Sequence, residues 1–180
     1  VFEVLEVENE ITSKENAIDK NTFDSEITIK NVNFKYEEEA VLKDFSLEVK
    51  KGQTVALVGQ SGSGKSTIAN LLTRFYDVNE GTISIDGIDI KDFNLQSLRG
   101  LMGLVTQDSI LFNDTIKANI ALGKLDATDA EIIEALKIAN ALEFVNELPN
   151  GIHTNIGDSG NKLSGGQKQR LSIARAVLKN

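Results

Sequence analysis

TVALVGQSGSGKST, residues 54–67, is an apolar run that leads into a glycine-rich turn ending in Lys-Ser-Thr. The unbroken hydrophobicity of 54–58 is that of a buried strand. Residues 59–66 match G-x-x-x-x-G-K-[ST]. Gly59, Gly64, Lys65 and Ser66 stand in the fixed places, and Gln60, Ser61, Gly62, Ser63 and Thr67 complete the loop. Each part has a physical task. Glycines let consecutive backbone N–H groups turn inward on one anion. A helix starting near Lys65, continued by IANLLTRF (68–75), brings its positive N-terminal end to the same point. Lys65 adds a point charge for outer phosphates, and the Ser66 hydroxyl is placed to ligate Mg2+. The bland alternative is a Gly/Ser-rich connector with an incidental lysine.

Outward from this stretch the pattern is mostly of strands on the N-terminal side. Ile27 and Ile29 alternate with polar residues, and Val32, Phe34 and Tyr36 alternate in the opposite phase. Such a switch implies a bulge or turn near Asn31. Phe45, Leu47 and Val49 alternate again before a Lys51-Gly52 turn. ISIDGIDI (83–90) reads as a hairpin about Asp86-Gly87, and LMGLV (101–105) as a second buried strand. From Thr128 the text turns helical. Thr128 and Glu131 have capping-box spacing, Ile132, Ala135, Leu136, Ala139 and Leu142 keep one face, and Pro149 closes the segment. Residues 8–26 are polar and read as a linker, and 1–7 as the end of a helix arriving from preceding sequence.

Composition narrows the classes. The chain has 180 residues, 41% of them hydrophobic, room for about one domain with a sizeable core. The balance of 19 basic to 27 acidic residues, net −8, argues against a nucleic-acid partner. With no cysteine, disulfides, thiolate zinc sites and thiol nucleophiles are excluded. The single histidine, His153, comes just after a Pro-Asn-Gly turn and reads as an exposed surface residue; Glu37, Glu38 and Glu39 read as a solvated loop. No apolar run approaches the ~20 residues that span a bilayer. The acidic opening VFEVLEVENE lacks the marks of a signal peptide, and both ends read as cut from a larger protein.

A second glycine motif, LSGGQ (163–167), precedes KQR and an apolar-periodic helix. Alone, it reads equally as an N-cap and a flexible turn. The phosphate loop followed by LSGGQ-KQR resembles the ATP-binding domain of ABC transporters, from about Ile27 to Asn180. The resemblance implies an α/β, P-loop NTPase (ABC ATPase) fold. It would have an N-terminal antiparallel β subdomain and a helical subdomain at about 112–165, with the C-terminal part of the core missing. Residues 1–26 would link it to an absent transmembrane domain. Tyr36 resembles the aromatic that stacks on adenine, or is a strand aromatic packed on the core. Gln107 resembles the glutamine that contacts Mg2+ and water, or is a solvated loop residue. FNDTIKANI (112–120), TNIGDSG (154–160) and TRFYD (73–77) resemble exporter segments, lipid A and multidrug exporters in particular. Asp158 stands where that family's loop usually has glutamate.

The resemblance implies ATP and Mg2+ as ligands. It assigns ATP contacts to Tyr36, residues 59–67, Gln107 and Ser164, Gly165, Gly166 and Gln167, with Lys65 and Gln107 catalytic and Ser66 and Gln107 on the metal. Two such domains, identical or paralogous, would pair head to tail beneath transmembrane domains at the cytoplasmic face of the inner membrane. ATP hydrolysis would then drive export of a lipid or hydrophobic substrate. The family's Asp-Glu strand and switch histidine would come after Asn180, so the 180 residues alone are expected to hydrolyse ATP poorly, if at all, and to be marginally stable. A soluble ABC-type ATPase and a non-hydrolysing half-domain stay open as alternatives.

Overall fold

The computed structural model describes residues 11–179; the apolar opening at 1–7 lies outside them. The chain divides into two compact units, residues 1–101 and 102–180.

In the first unit, β1 (Glu26–Lys35), β2 (Ala40–Lys50), β3 (Glu80–Ile85) and β4 (Ile88–Asp89) form one antiparallel sheet in the order β2-β1-β3-β4. The expected phase switch is present. Pairing of β1 with β2 slips between Ile29 and Val32, and Asn31 turns out with φ 47°. Its amide N–H and side-chain amide donate to Ser46 Oγ (2.9 Å) and Asp44 Oδ1 (2.7 Å). Thus the bulge moves the buried set from Ile29 to Val32 and Phe34 without orphaning the displaced amide. A Cβ at Gly81 would stand 2.4 Å from Asn31 O, so β3 can pass the bulge only as glycine. The Asp86-Gly87 hairpin turn has φ 52° and 80°, both positive, as a type I′ turn demands.

Helix α1 (Lys65–Leu72) lays Ile68 and Leu71 against Ile29, Val32, Leu42 and Ile83 of the sheet. It stops three residues before the apolar pattern does. Arg74 takes φ 52°, and Phe75 N–H donates to Asn70 O at 2.9 Å, a Schellman closure with arginine where glycine is usual. Helix α2 (Leu95–Gly100) is capped by Asn94.

The polar stretch read as a linker is fastened down from Ser13 onward. Ile18 N–H donates to Asp92 O (2.7 Å) and Ile18 O accepts from Asn94 N–H (2.9 Å). Ser97 Oγ accepts from Lys20 N–H and donates to Lys20 O, both at 2.7 Å. Ser13 Oγ accepts from Leu95 N–H at 2.9 Å. The Asp86 carboxylate collects three backbone N–H groups, from Asp24, Ser25 and Glu26, at 2.7–3.0 Å, with Lys20 Nζ at 3.2 Å. Burial alone would raise the Asp86 pKa, but those donors outweigh it and hold it at about 2.

The apolar run 54–58 departs from expectation. It forms no strand among the described residues, and Val55, Leu57 and Val58 are exposed. A strand is defined by its neighbours' hydrogen bonds, and no neighbour pairs with this run there.

The second unit is helical: α3 (Ile116–Ala121), α4 (Asp129–Ile138), α5 (Leu142–Asn146) and α6 (Gly165–Lys179). Its core gathers Ile116, Ile120, Ile132, Leu136, Val145, Ile156, Leu171 and Ala174. The predicted capping box forms on α4, where the Lys124 ammonium, then Thr128, hold the Glu131 carboxyl down at about 2. The helix ends before Leu142, because Asn140 adopts φ 53° and Ala141 N–H reaches back to Leu136 O at 2.8 Å. The run 101–105 likewise forms no strand among the described residues, leaving Leu104 and Val105 exposed.

The Asp86 clamp yields a pH-dependent prediction. Its pKa falls from an unfolded value of ~3.9 to about 2. Its stabilisation is therefore full above about pH 4 and is lost as pH falls through about 2. Asp86→Ala should cost about 1.5–3 kcal/mol at pH 7 by denaturant titration, with the gap to the parent narrowing steadily towards pH 2.

Candidate functional site

The phosphate loop lies at the mouth of α1, in the first unit. Gly62 and Gly64 have φ 82° and 85°, and Gly64 is the N-cap, with no side chain capping the helix. No acidic residue occupies the first turn of α1, so the helix's own first turn does not offset its positive end. Lys65 bends over the loop, Nζ donating to Gly59 O (2.9 Å), Gln60 O (2.6 Å) and Ser63 Oγ (3.2 Å). Ser66 is exposed beside it, and Thr67 is buried. The ammonium, the free helix end and the left-handed glycines are a donor set for a polyphosphate.

Tyr36, distant in sequence, belongs to the same place. It comes just after β1, its ring edge-on to Phe34 (4.9 Å between centroids) and Tyr76 (5.0 Å). Its hydroxyl donates to Thr67 Oγ1 at 3.2 Å, and Asn70 Nδ2 donates to it at 3.5 Å. It remains 46% exposed, so the ring packs on its aromatic neighbours and still offers surface. A cleft opens beside it, lined by Tyr36, Glu37, Glu38, Glu39 and Val41. Asn70 escapes a reading of the sequence, since it lies in no motif, and Tyr76 enters it only as part of TRFYD (73–77), with no role of its own. The i, i+3 spacing from Thr67 is the signal for Asn70.

The remaining candidates lie in the second unit. Gln107 is exposed on a bend, between Thr106, whose Oγ1 donates to Asp108 O at 2.7 Å, and Ser109. Ser164 caps α6: Gln167 N–H donates to Ser164 Oγ (3.3 Å), and Ser164 N–H donates back to Gln167 Oε1 (2.8 Å). Leu163 is buried in the helical core. A Cβ at Gly165 would meet nothing within 4 Å, so packing does not require glycine there. The preceding loop is held by Lys168 Nζ on Ser159 O (2.9 Å) and Lys162 Nζ on Asn155 O (3.1 Å), with Asp158 exposed. His153 is exposed, as expected, 3.8 Å from Asp129.

Among the described residues no His/Cys/Asp/Glu cluster could hold a metal. The hydroxyl of Ser66 suits Mg2+ that brings phosphates and waters as its other ligands, the mode this hard cation prefers. Among the same residues no helix is long and apolar enough to cross a membrane.

Loop, lysine and helix define a P-loop nucleotide-binding protein. Comparison with known proteins takes this further. Residues 42–180 match the ABC transporter family. A putative multidrug export ATP-binding/permease protein of Bacillus subtilis (strain 168) is 53% identical over 182 residues, covering 100% of this chain and 31% of that protein. An ATP-dependent lipid A-core flippase of Syntrophus aciditrophicus (strain SB) is 48% identical over 180 residues, covering 100% of this chain and 30% of that protein. A solved bacterial Atm1-family ABC exporter with ATP bound superposes with a TM-score of 0.93 at 47% identity, over 99% of this chain and 32% of that one. The chain belongs to the ABC transporter family, and its fold is that of an ABC ATPase. It spans about a third of the length of these relatives. Membership implies ATP binding.

Gly64 tests the loop. At φ +85° a Cβ would also stand 2.8 Å from Leu42 Cδ2. Gly64→Ala should cost at least about 1–2 kcal/mol of stability from the left-handed backbone alone, read by denaturant titration, and should weaken nucleotide binding in parallel.

Proposed function

We propose that this chain is the ATP-binding part of an exporter that moves a lipid or a hydrophobic drug-like molecule across a membrane. Residues 27–180 form part of the nucleotide-binding domain, with a helical subdomain at about 112–165. Residues 1–26 lead in from transmembrane domains, and the domain works at the cytoplasmic face of the inner membrane. The observation that carries the reading is one chain holding two glycine turns at helix N-termini, 59–66 before α1 and 163–166 before α6. The names of the relatives, which join an ATP-binding part to a permease, support it.

In this reading two such domains, identical or paralogous, pair head to tail about a two-fold axis. ATP lies between the phosphate loop of one copy and Ser164, Gly165, Gly166 and Gln167 of the other. Tyr36 offers its ring face to the adenine. N–H groups of residues 60–67 take the inner phosphates, and the Lys65 ammonium exchanges its bonds to Gly59 O and Gln60 O for the outer ones. Ser66 would hold Mg2+, which would neutralise charge on the transferring phosphoryl group. The second copy's glycine turn reaches its donors only when the pair closes, so ATP drives closure and its loss allows opening. Gln107 and residues 108–120 pass that change to the membrane part.

The decisive experiment uses the whole protein in lipid vesicles, with ATP-dependent movement of lipid A or a hydrophobic bisbenzimide dye as readout. Vectorial movement that requires ATP supports the reading; ATP turnover with neither substrate moved, in a protein without membrane spans, would favour a soluble ATPase. Gly165→Ala separates function from folding. With open space at the site and alanine the better helix former, the fold should gain up to about 1 kcal/mol. ATPase activity should nevertheless fall about tenfold or more, because the added methyl keeps the phosphate from closing on the backbone N–H groups of the turn.

A further inference from the structure

We propose that Arg175 is a positioning residue that makes the exposed segment 106–120 and the glycine turn at 163–167 move as one body. The inference rests on the export reading above and concerns how a push on one part of that site reaches another.

Arg175 lies in the second half of α6, about 15 Å along the helix from Gly165 at ~1.5 Å per residue. Its guanidinium spans two separate stretches of backbone. Nε donates to Asn119 O at 2.8 Å, Nη1 to Ile110 O at 3.0 Å, and Nη2 approaches Asn119 Oδ1 at 3.4 Å. Asn119 is only 1% exposed. It already closes the 112–119 loop on itself, accepting from Phe112 N–H (2.8 Å) and donating to Phe112 O and Thr115 O (3.0 Å each). The loop is therefore satisfied without Arg175, whose bonds join it to a different element.

A second link lies six residues nearer the glycine turn. Gln169 Nε2 donates to Thr106 O (3.3 Å) and its Oε1 accepts from Ser109 Oγ (2.9 Å). The chain on either side of this segment is also seated on α6. A Cβ at Gly123 would stand 2.3 Å from Arg175 O, and one at Gly103 would stand 2.8 Å from Ala176 O, so both stretches lie directly on the α6 backbone. At the outer surface of the held segment, Ile110 is 66% and Phe112 56% exposed. Ile110 thus presents its side chain outward while its carbonyl is gripped by Arg175. Displacing that side chain moves a planar fork rigidly set in α6, and with it the N-terminus that carries Gly165 and Gly166. Lysine would keep the charge but replace the planar fork that reaches both stretches with a point donor on a flexible stem.

The test is Arg175→Lys and Arg175→Ala in the full-length transporter in lipid vesicles, with two readouts. In ATPase kinetics, KM for ATP should stay within about twofold, since the phosphate loop is untouched. Stimulation of kcat by a hydrophobic bisbenzimide dye or by lipid A should fall at least about fivefold. A merely structural role would instead lower the thermal midpoint and leave stimulation of the folded fraction intact, which would overturn the proposal. In hydrogen exchange, ATP should change protection at 108–113 and 164–168 together in the parent, and at 164–168 alone in Arg175→Lys. If both segments still respond together in Arg175→Lys, the proposal fails. The exchange readout needs no transported substrate. A parent ATPase that neither dye nor lipid A stimulates would thus count against export, while the exchange still decides for or against Arg175. If Arg175→Ala does not fold, Arg175→Lys decides by the same numbers.

Discussion

Helix α1 can begin where it does only because Gly64 has no side chain. Its backbone is left-handed, and Val41 and Leu42 of β2 press on the space a Cβ would fill, at 3.3 and 2.8 Å. From that wedge Ile68 and Leu71 continue into the sheet core, fixing the helix axis against β1, β2 and β3. The direction of the first-turn N–H groups is therefore set by packing on the far side of the helix rather than by the loop itself. Tyr36 is registered to the same sheet through the end of β1 and tied to the same helix through Thr67. Aromatic surface and phosphate-facing amides are thus held by one rigid core, the pre-organisation that spares a binding site the cost of ordering itself.

The helix ends are capped unequally, and the inequality is informative. Asn94 caps α2, Thr115 caps α3, and Thr128 with Glu131 caps α4. Helix α1 has a glycine N-cap, no side-chain acceptor and no acid in its first turn. Helices α2 and α3 also lack a first-turn acid but have side-chain caps, and α5 lacks a cap but has Glu143; the end of α1 has neither, which leaves it open to an anion from elsewhere. Lys65 supports this reading, because its ammonium rests on neutral oxygens of the loop instead of an ion pair. Exchanging those bonds for phosphate oxygens gains charge assistance.

What is legible in the sequence is local. The bulge at Asn31, the Asp86-Gly87 turn and the Thr128–Glu131 box each depend on a few neighbouring residues, and each forms as read. The stop at Arg74 is hidden, because arginine is not a usual left-handed cap; at Asn140 the residue is a known left-handed cap, but the apolar face running on to Leu142 masks it. The runs 54–58 and 101–105 have strand composition, but pairing is a property of neighbours, and hydrophobicity cannot supply them. The strap at 13–26 passes for a linker for the opposite reason. It docks through backbone bonds to Asp86, Asp92 and Ser97, and polar composition does not distinguish a docked segment from a free one. In the site, the loop 59–67 is legible because its spacing is its mechanism, whereas Asn70, Asn119 and Arg175 act through partners that spacing does not reveal.

The two glycine turns solve related problems differently. At Gly64 the fold itself demands glycine, so its presence would be explained even if no ligand ever bound. At Gly165 nothing in the surrounding packing does, and glycine at the start of a 15-residue helix is a standing cost in stability. The turn is also capped by its own Ser164 through a long 3.3 Å bond, one readily exchanged for a better acceptor. A costly residue in open space beside a weak internal cap is what a surface looks like when something must approach its backbone closely. The buried Leu163 at one side of the turn and the Arg175 and Gln169 links along α6 hold the helix still while leaving that face bare. Rigidity in the helix and open space at its end are therefore complementary: the first lets a distant displacement arrive undiminished, and the second gives it a place to act.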